Sequence, residues 1–394
     1  MAKIICAKCM TVHQIDEAEK CPSCHASKEY MYNFKNSDTF LKKEIPRILE
    51  ERKNLGLEGL VKGLDAVIIN TEPHLQISAA SEFVRFTGLS YHEAFEDDYF
   101  KTIVLTHPDS ASFLIQSRKE KMRNENNPFF EYNLHPKSEH LPNTRLETFV
   151  FITPNLKRYV QIQKERGVRF LTPDIMRGEH FSFIQTIPSA YTGNSVGFIQ
   201  WHSNQKTYRP MKAQAIHIAL KKPEKNYLEH IKQLDHTAMR VRAENRDNAI
   251  IEFMELTNYH FDFSIYVKLF NSITNVARLS ADDFAMVFTS GVTPYKNSEE
   301  SGPTEKFIHN YGTRVHHLAF QTEHIEETFE YLTKNRMKFL IDLVGSEAEG
   351  LKQTFSEPSA STLLVNEYIH RFGDFDGFFT KSNVTLLTES TKKQ

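Results

Sequence analysis

Two long stretches of this chain resemble one another at a nearly constant spacing, and that duplication constrains the fold more than any other feature. Leu64-Asp65-Ala66 matches Leu234-Asp235-His236 at an offset of 170, and Ser81-Glu82-Phe83 falls on Ile251-Glu252-Phe253 at the same offset. Phe151-Ile152-Thr153 then matches Phe320-Gln321-Thr322 at 169, as Phe170-Leu171 matches Phe339-Leu340. Between these anchors each copy reads as strand, helix, strand. The second-copy helix is predicted over 323–335, with Ile325, Phe329 and Leu332 on its buried face and Thr322 as N-cap. In the first copy Pro154 stands at the first helical turn and Gly167 at the C-terminus, where those residues belong. Segments 195–201 and 362–369 read as strands closing each copy. With 394 residues, the chain is too long for one ordinary core. These observations predict an α+β chain with two homologous domains, 57–222 and 223–394.

Ahead of the duplication, 35–56 reads as a helical connector with Leu41, Ile45, Ile48 and Leu49 on one face and Pro46 inside as a kink. All four cysteines precede it, as Cys6-Ala-Lys-Cys9 and Cys21-Pro-Ser-Cys24. Two such knuckles direct four thiolates at one point, which suits Zn(II). Disulfides or redox dithiols are the alternative, disfavoured in a reducing cytosol. So short a segment cannot bury enough surface to fold alone, and metal binding would supply its folding energy. We therefore expect 1–34 to be a zinc ribbon that docks on the next domain or recruits a protein or nucleic acid. His13 and His25 are spare in this reading.

The second copy carries residues that the first lacks. His236 follows its first strand, His317 sits in Val315-His316-His317-Leu318-Ala319-Phe320, and Glu367 sits in Leu364-Val365-Asn366-Glu367-Tyr368. Ala66, Thr148 and Gln200 stand at the matching places of the first copy. Two imidazoles and one carboxylate on a single face suit Fe(II), with three coordination positions open. Any one of the 18 histidines, taken alone, is more often a hydrogen-bonded core or surface residue. Glu367 inside an apolar strand is harder to dismiss, because a buried carboxylate needs a partner.

Composition excludes more than it assigns. The chain is 40% hydrophobic and 25% charged with a formal net charge of -2, so charge alone favours neither nucleic acid nor an anionic membrane. No apolar run reaches the roughly 18 residues of a membrane span and the start lacks a signal-peptide core, so a cytoplasmic protein is expected. Thirty Phe against one Trp suit aromatic-rich sheet cores or an aromatic-lined pocket.

From about residue 57 onward, and most clearly after Leu234, the chain resembles the vicinal-oxygen-chelate dioxygenases, and within them the 4-hydroxyphenylpyruvate dioxygenases and hydroxymandelate synthases. Asp235-His236 is similar to the family's Asp-His, and Val315-His316-His317-Leu318-Ala319-Phe320 to its Val-Gln-His-Ile-Ala-Leu strand. Leu351-Lys352-Gln353-Thr354-Phe355-Ser356-Glu357-Pro358 resembles Leu-Leu-Gln-Ile-Phe-Thr-Lys-Pro, and Glu367-Tyr368-Ile369-His370-Arg371 resembles Glu-Ile-Ile-Gln-Arg. The closing Gly-Phe-Gly-x-Gly-Asn-Phe is partly kept in Phe378-Phe379-Thr380-Lys381-Ser382-Asn383-Val384. The resemblance implies two βαβββ-repeat domains, with the small zinc ribbon as an addition in front. It implies His236, His317 and Glu367 as catalytic iron ligands, Gln353 as a polar pocket residue, Phe355 and Phe379 as aromatic walls, and Ser272 and His316 as further substrate contacts. The implied reaction belongs to tyrosine catabolism. An aromatic 2-oxo acid chelates Fe(II), O2 takes the remaining position, CO2 is lost, and the rest of the same substrate is hydroxylated to a homogentisate-type product. Family members are commonly dimers or tetramers, so a homo-oligomer is implied.

The departures bear on the substrate. The family's Ile-Asn-Glu-Pro is replaced by Phe288-Thr289-Ser290-Gly291, its Gln before the second histidine ligand by His316, and its last aromatic by Val384. Losing a phenyl wall removes stacking worth about 0.5–1.5 kcal/mol, and changed buried hydrogen-bonding groups shift selectivity further. Two alternatives therefore stand beside the first reading. One is the same chemistry on a different 2-oxo acid or with a hydroxymandelate-type product; the other is a non-catalytic ligand-sensing module whose ribbon binds a partner.

Overall fold

The structure is a computed structural model and describes residues 3–6, 11–14, 19–28, 31–33, 38–119, 129, 133–373, 375 and 377–394. At the N-terminal end Lys3–Cys6 pairs antiparallel with both Val12–Gln14 and Met31–Asn33. The helix Asp38–Leu55 follows.

Each copy then builds one sheet from two strand-helix-three-strand modules. In the second copy the modules begin with Ile231–Arg240 and Arg314–Thr322, which pair antiparallel at the sheet centre. Each is flanked by the parallel strand that ends its own module, Ala285–Gly291 on one side and Val365–Arg371 on the other. His260–Val267 and Ser272–Arg278 complete one wing, Leu351–Ser356 and Phe339–Ser346 the other. The first copy repeats this order around Leu64–Thr71 and Arg145–Ile152, with its outermost strand shortened to Met176–Arg177 and one short edge strand, Gln214–Ala215, added on the other side. Even the irregularities recur: a register shift lies between Leu64 and Ala66 in one copy and between Leu234 and His236 in the other. The chain is thus an α+β protein of two βαβββ-repeat sheets.

One apolar core runs through both copies, where Phe113 stacks on Phe320 at 6.0 Å and Phe151 packs against Phe253 and Tyr259. Polar contacts across this interface mirror one another. Ser359 donates to Glu82 at 2.6 Å, and Ser189, 170 residues earlier, donates to Glu252. Tyr159 donates its hydroxyl to Leu256 O and Tyr368 to Phe86 O, each serving a carbonyl at the end of a helix of the other copy.

Local details differ from the sequence expectations. In the helix Asp38–Leu55, Leu41 and Ile48 are buried but Leu49 is exposed, and Arg52 is buried in its place. Its guanidinium donates to Met254 O, Asn258 O and Tyr259 O, supplying donors that the end of Arg246–Leu256 lacks. The connector is therefore a strap onto the second copy. The helix expected over 323–335 runs Ile325–Lys334 behind His324 in the left-handed region, while Thr322 ends the preceding strand with its hydroxyl on Phe320 O. Pro154, expected at the first helical turn, lies just ahead of it: Leu156–Glu165 is capped by Asn155, whose side chain accepts from Arg158 N. The last strand begins at Val365 because Ser359 Oγ accepts from the backbone of Ser361 and Thr362, which turns the chain there.

Candidate metal centre

His236 lies on the central strand Ile231–Arg240, His317 on its antiparallel partner, and Glu367 on the strand parallel to that partner. Ala319 faces both His236 and Glu367 in the register, so the three positions fall side by side. Their ligating atoms all lie within 4.8 Å of one another. Glu367 Oε2 is 3.1 Å from His236 Nε2 and 3.2 Å from His317 Nε2. All three residues are buried, and His236 Nε2 has Glu367 at 3.1 Å without the angles of a good hydrogen bond and no solvent to turn to. A buried nitrogen lone pair aimed at a carboxylate and a second imidazole is the donor set a divalent cation satisfies.

Surrounding groups fix each donor. His236 Nδ1 donates to Asp235 Oδ1 at 2.7 Å, which leaves Nε2 to carry the ligating lone pair. Arg371 grips the same carboxylate with two bonds of 2.6 and 3.0 Å. Burial opposes the Asp235 charge, but Arg371 and His236 outweigh it and hold the carboxyl well below the usual range. Burial likewise opposes charge on His236, but Glu367 and Asp235 raise it to about 9 without a metal. His317 Nδ1 meets His316 Nδ1 at 2.9 Å, and His316 Nε2 meets Gln394 Oε1 at 2.9 Å. An amide oxygen accepts only, so His316 must donate from Nε2 and accept at Nδ1; His317 then donates from Nδ1 and presents Nε2. Burial, with the nearby positive charge of Arg240, keeps both of these rings neutral. Gln353 Nε2 donates to Glu367 Oε1 at 2.5 Å and is itself held by Asn383 at 3.0 Å.

The other sequence-predicted residues gather here. Phe355 packs on the His317 ring at 4.7 Å and Phe379 meets the His236 ring edge-on at 5.1 Å. Ser272, His316, Phe355, Phe379 and Val384 line one cavity with His317 and Glu367. Sequence reasoning missed Asn383, Gln394 and Arg240 as parts of the site. Arg371 had a signal: it stands 170 residues after Trp201, which bonds Asp65 as Arg371 bonds Asp235. One match needs correction. Val150 pairs with Gly197 in the first copy as Ala319 pairs with Glu367 in the second, so Gly197, not Gln200, is the counterpart of Glu367.

Near the N-terminus Cys6, Cys21 and Cys24 bring their sulfurs within 4.8 Å of one another; Cys9 lies outside the described residues. Cys6 and Cys24 sulfurs are 3.6 Å apart. His13, spare in the sequence reading, places Nε2 3.4 Å from Cys21 Sγ.

No protein-family model and no curated protein matches the sequence. Among solved structures, a triple mutant of 4-hydroxymandelate synthase from Streptomyces coelicolor superimposes with a TM-score of 0.61 at 13% identity, covering 84% of this chain and 98% of that one. A xylose isomerase-like TIM barrel/4-hydroxyphenylpyruvate dioxygenase fusion protein gives a TM-score of 0.60 at 12% identity over 88% of this chain and 57% of the fusion. At such identities the likeness is one of fold. No helix of the described residues is long and apolar enough to cross a membrane.

Proposed function

We propose that this chain is a mononuclear non-haem Fe(II) dioxygenase, similar to the 4-hydroxyphenylpyruvate dioxygenases and hydroxymandelate synthases, acting on an aromatic 2-oxo acid and O2. The supporting observation is the convergence of His236, His317 and Glu367 within 4.8 Å beside a cavity that His317 and Glu367 line. Fe(II) held there would supply O2 activation and a seat for the two adjacent oxygens of a 2-oxo acid. The protein's own residues supply geometry and dryness. Asp235 with Arg371, and His316 with Gln394, fix the ligand tautomers; Gln353 with Asn383 fixes the carboxylate. Phe355 and Phe379 wall the donors from solvent and offer faces to an aromatic substituent. Val384 and Leu387 of the helix Lys381–Ser390 cover the cavity. The thiolates of Cys6, Cys21 and Cys24, with Cys9 as the fourth ligand, would hold a structural Zn(II) in a ribbon over 1–34.

Oxygen uptake by the anaerobically Fe(II)-loaded protein, followed across a panel of aromatic and aliphatic 2-oxo acids and repeated with Glu367→Ala, tests this reading. Substrate-dependent uptake that disappears in the variant, with zinc content near one per chain in both, is the expected outcome. Loaded protein that consumes no oxygen with any acid would favour a ligand-sensing module instead. The product formed from 4-hydroxyphenylpyruvate separates a homogentisate-type from a hydroxymandelate-type outcome.

A further inference from the structure

We infer that Arg240 is the receptor for a second carboxylate at the far end of the substrate, so that the site takes a dicarboxylic 2-oxo acid. The inference rests on the proposal that the triad seats the 2-oxo acid. Arg240 ends the strand that carries His236, and residues 236, 238 and 240 share one face, while Met239 and Val241 belong to the apolar core behind it. Four residues of extended chain separate Arg240 from His236 by roughly 13 Å, about the reach of a small dicarboxylic acid from the metal donors to a guanidinium folded inward.

Arg240 is 4% exposed, lines the cavity shared by His317 and Glu367, and rests on the Phe307 ring at 4.3 Å. Its Nη1 is buried without a hydrogen-bond partner, and among the described residues no carboxylate pairs with it. Glu367, the carboxylate lining the same cavity, is held by Gln353 and the two histidines. Burial lowers Arg240 to about 9, so it stays a cation at neutral pH. The ring offsets only part of the cost of burying that charge, since cation–π contact is worth less than desolvation of an unpaired ion. Little of the guanidinium is left for water to pair, since Arg240 keeps only 4% of its surface exposed. Thr289 pairs with Arg240 and Thr274 with Thr289 across the sheet, and both line the cavity with Ser272 and Thr304. They can donate to a carboxylate that the guanidinium grips, the bidentate geometry in which arginine is strongest. A phenyl or phenol end would leave the cation unpaired, and such an acid should bind more weakly than one of the same shape that ends in a carboxylate.

Calorimetric titration of the anaerobic Fe(II)-loaded protein with two matched pairs tests the assignment: 2-oxoadipate against 2-oxohexanoate, and 4-carboxyphenylpyruvate against phenylpyruvate. In at least one pair the dianion should bind about 10-fold tighter or better. That advantage should shrink to within about 2-fold in Arg240→Gln and survive in part in Arg240→Lys, with iron content unchanged. The wild-type comparison stands even if a variant fails to fold. Binding of the acids without preference for either dianion, or a preference that persists in Arg240→Gln, overturns the role of Arg240 and leaves the metal reading intact. Failure of all four acids to bind overturns both.

Discussion

The two sheets of this protein share a backbone plan and differ in what fills their concave faces. In the second copy Asp235 accepts from His236 and Arg371; in the first, Asp65 at the equivalent position accepts from Trp201 Nε1 at 3.1 Å and Tyr208 OH at 2.8 Å. Where the second copy has His236, His317 and Glu367, the first has Ala66, Thr148 and Gly197. Phe183 stands in the place of Gln353, and its ring occupies the room a side chain at 197 would need: a Cβ there would lie 2.9 Å from it. Ala66, Val150, Ile199 and Tyr208, with Phe183 and Trp201 against them, make that face a dry core. A carboxylate survives in both halves because each provides donors for it. A ligand set survives only where the space beside it stays open.

That contrast can be broken from the filled side. Gly197→Glu puts a carboxylate against the Phe183 ring with no cation to meet it, and should cost about 3–5 kcal/mol in denaturant unfolding. Glu367→Gly, the reverse exchange, removes a buried charge and should cost far less stability while abolishing iron binding. Next in size, Arg371→Met frees Asp235 from its clamp and should weaken iron binding roughly 10- to 100-fold by equilibrium competition with a chelator. Its counterpart Trp201→Phe loses one hydrogen bond in the filled half, about 1 kcal/mol of stability, and should leave iron affinity unchanged. Equal effects on iron from both would mean that the halves are coupled. At His316 the test is sharper: Gln can bond His317 and should keep most of the affinity, whereas Phe cannot and should lose about 10-fold.

The smallest effect concerns the mirrored interface. Burial, against their serine bonds, raises the carboxyls of Glu82 and Glu252 above the ordinary value of 4.5. A carboxyl raised in the folded state favours folding while protonated. Its contribution is therefore complete below pH 4.5 and is lost as the pH climbs through the raised values. Replacing both by Gln should flatten the pH dependence of the melting temperature just above pH 4.5, and an unchanged slope would show that neither group titrates differently on folding.

Much of this architecture is legible in the sequence, because a repeat of 170 residues carries its own topology: the anchors at Leu64 and Leu234 mark equivalent central strands, and the bulge beside each keeps the offset intact. The three donor residues stand out because their counterparts are not donors. Gln200 misleads because it is polar and lies three residues beyond the true counterpart, whereas Gly197 offers no side chain to compare. Arg52 and Arg240 escape notice for a different reason. Hydrophobic periodicity marks which face of an element is buried, but a charged side chain inside an apolar pattern gives no sign of whether it reaches carbonyls, an aromatic ring or solvent. Gln394 is likewise silent, since its bond to His316 depends on how the segment after the helix Lys381–Ser390 packs.

The central claim is that the second sheet, and not the first, holds one iron through His236, His317 and Glu367. Iron and zinc content of the anaerobically Fe(II)-loaded protein, compared between wild type and Glu367→Ala after removal of loosely bound metal, tests it directly. One iron per chain in the wild type, none in the variant, and the same zinc content in both are expected; iron retained in full by Glu367→Ala would mean that these three residues do not hold it.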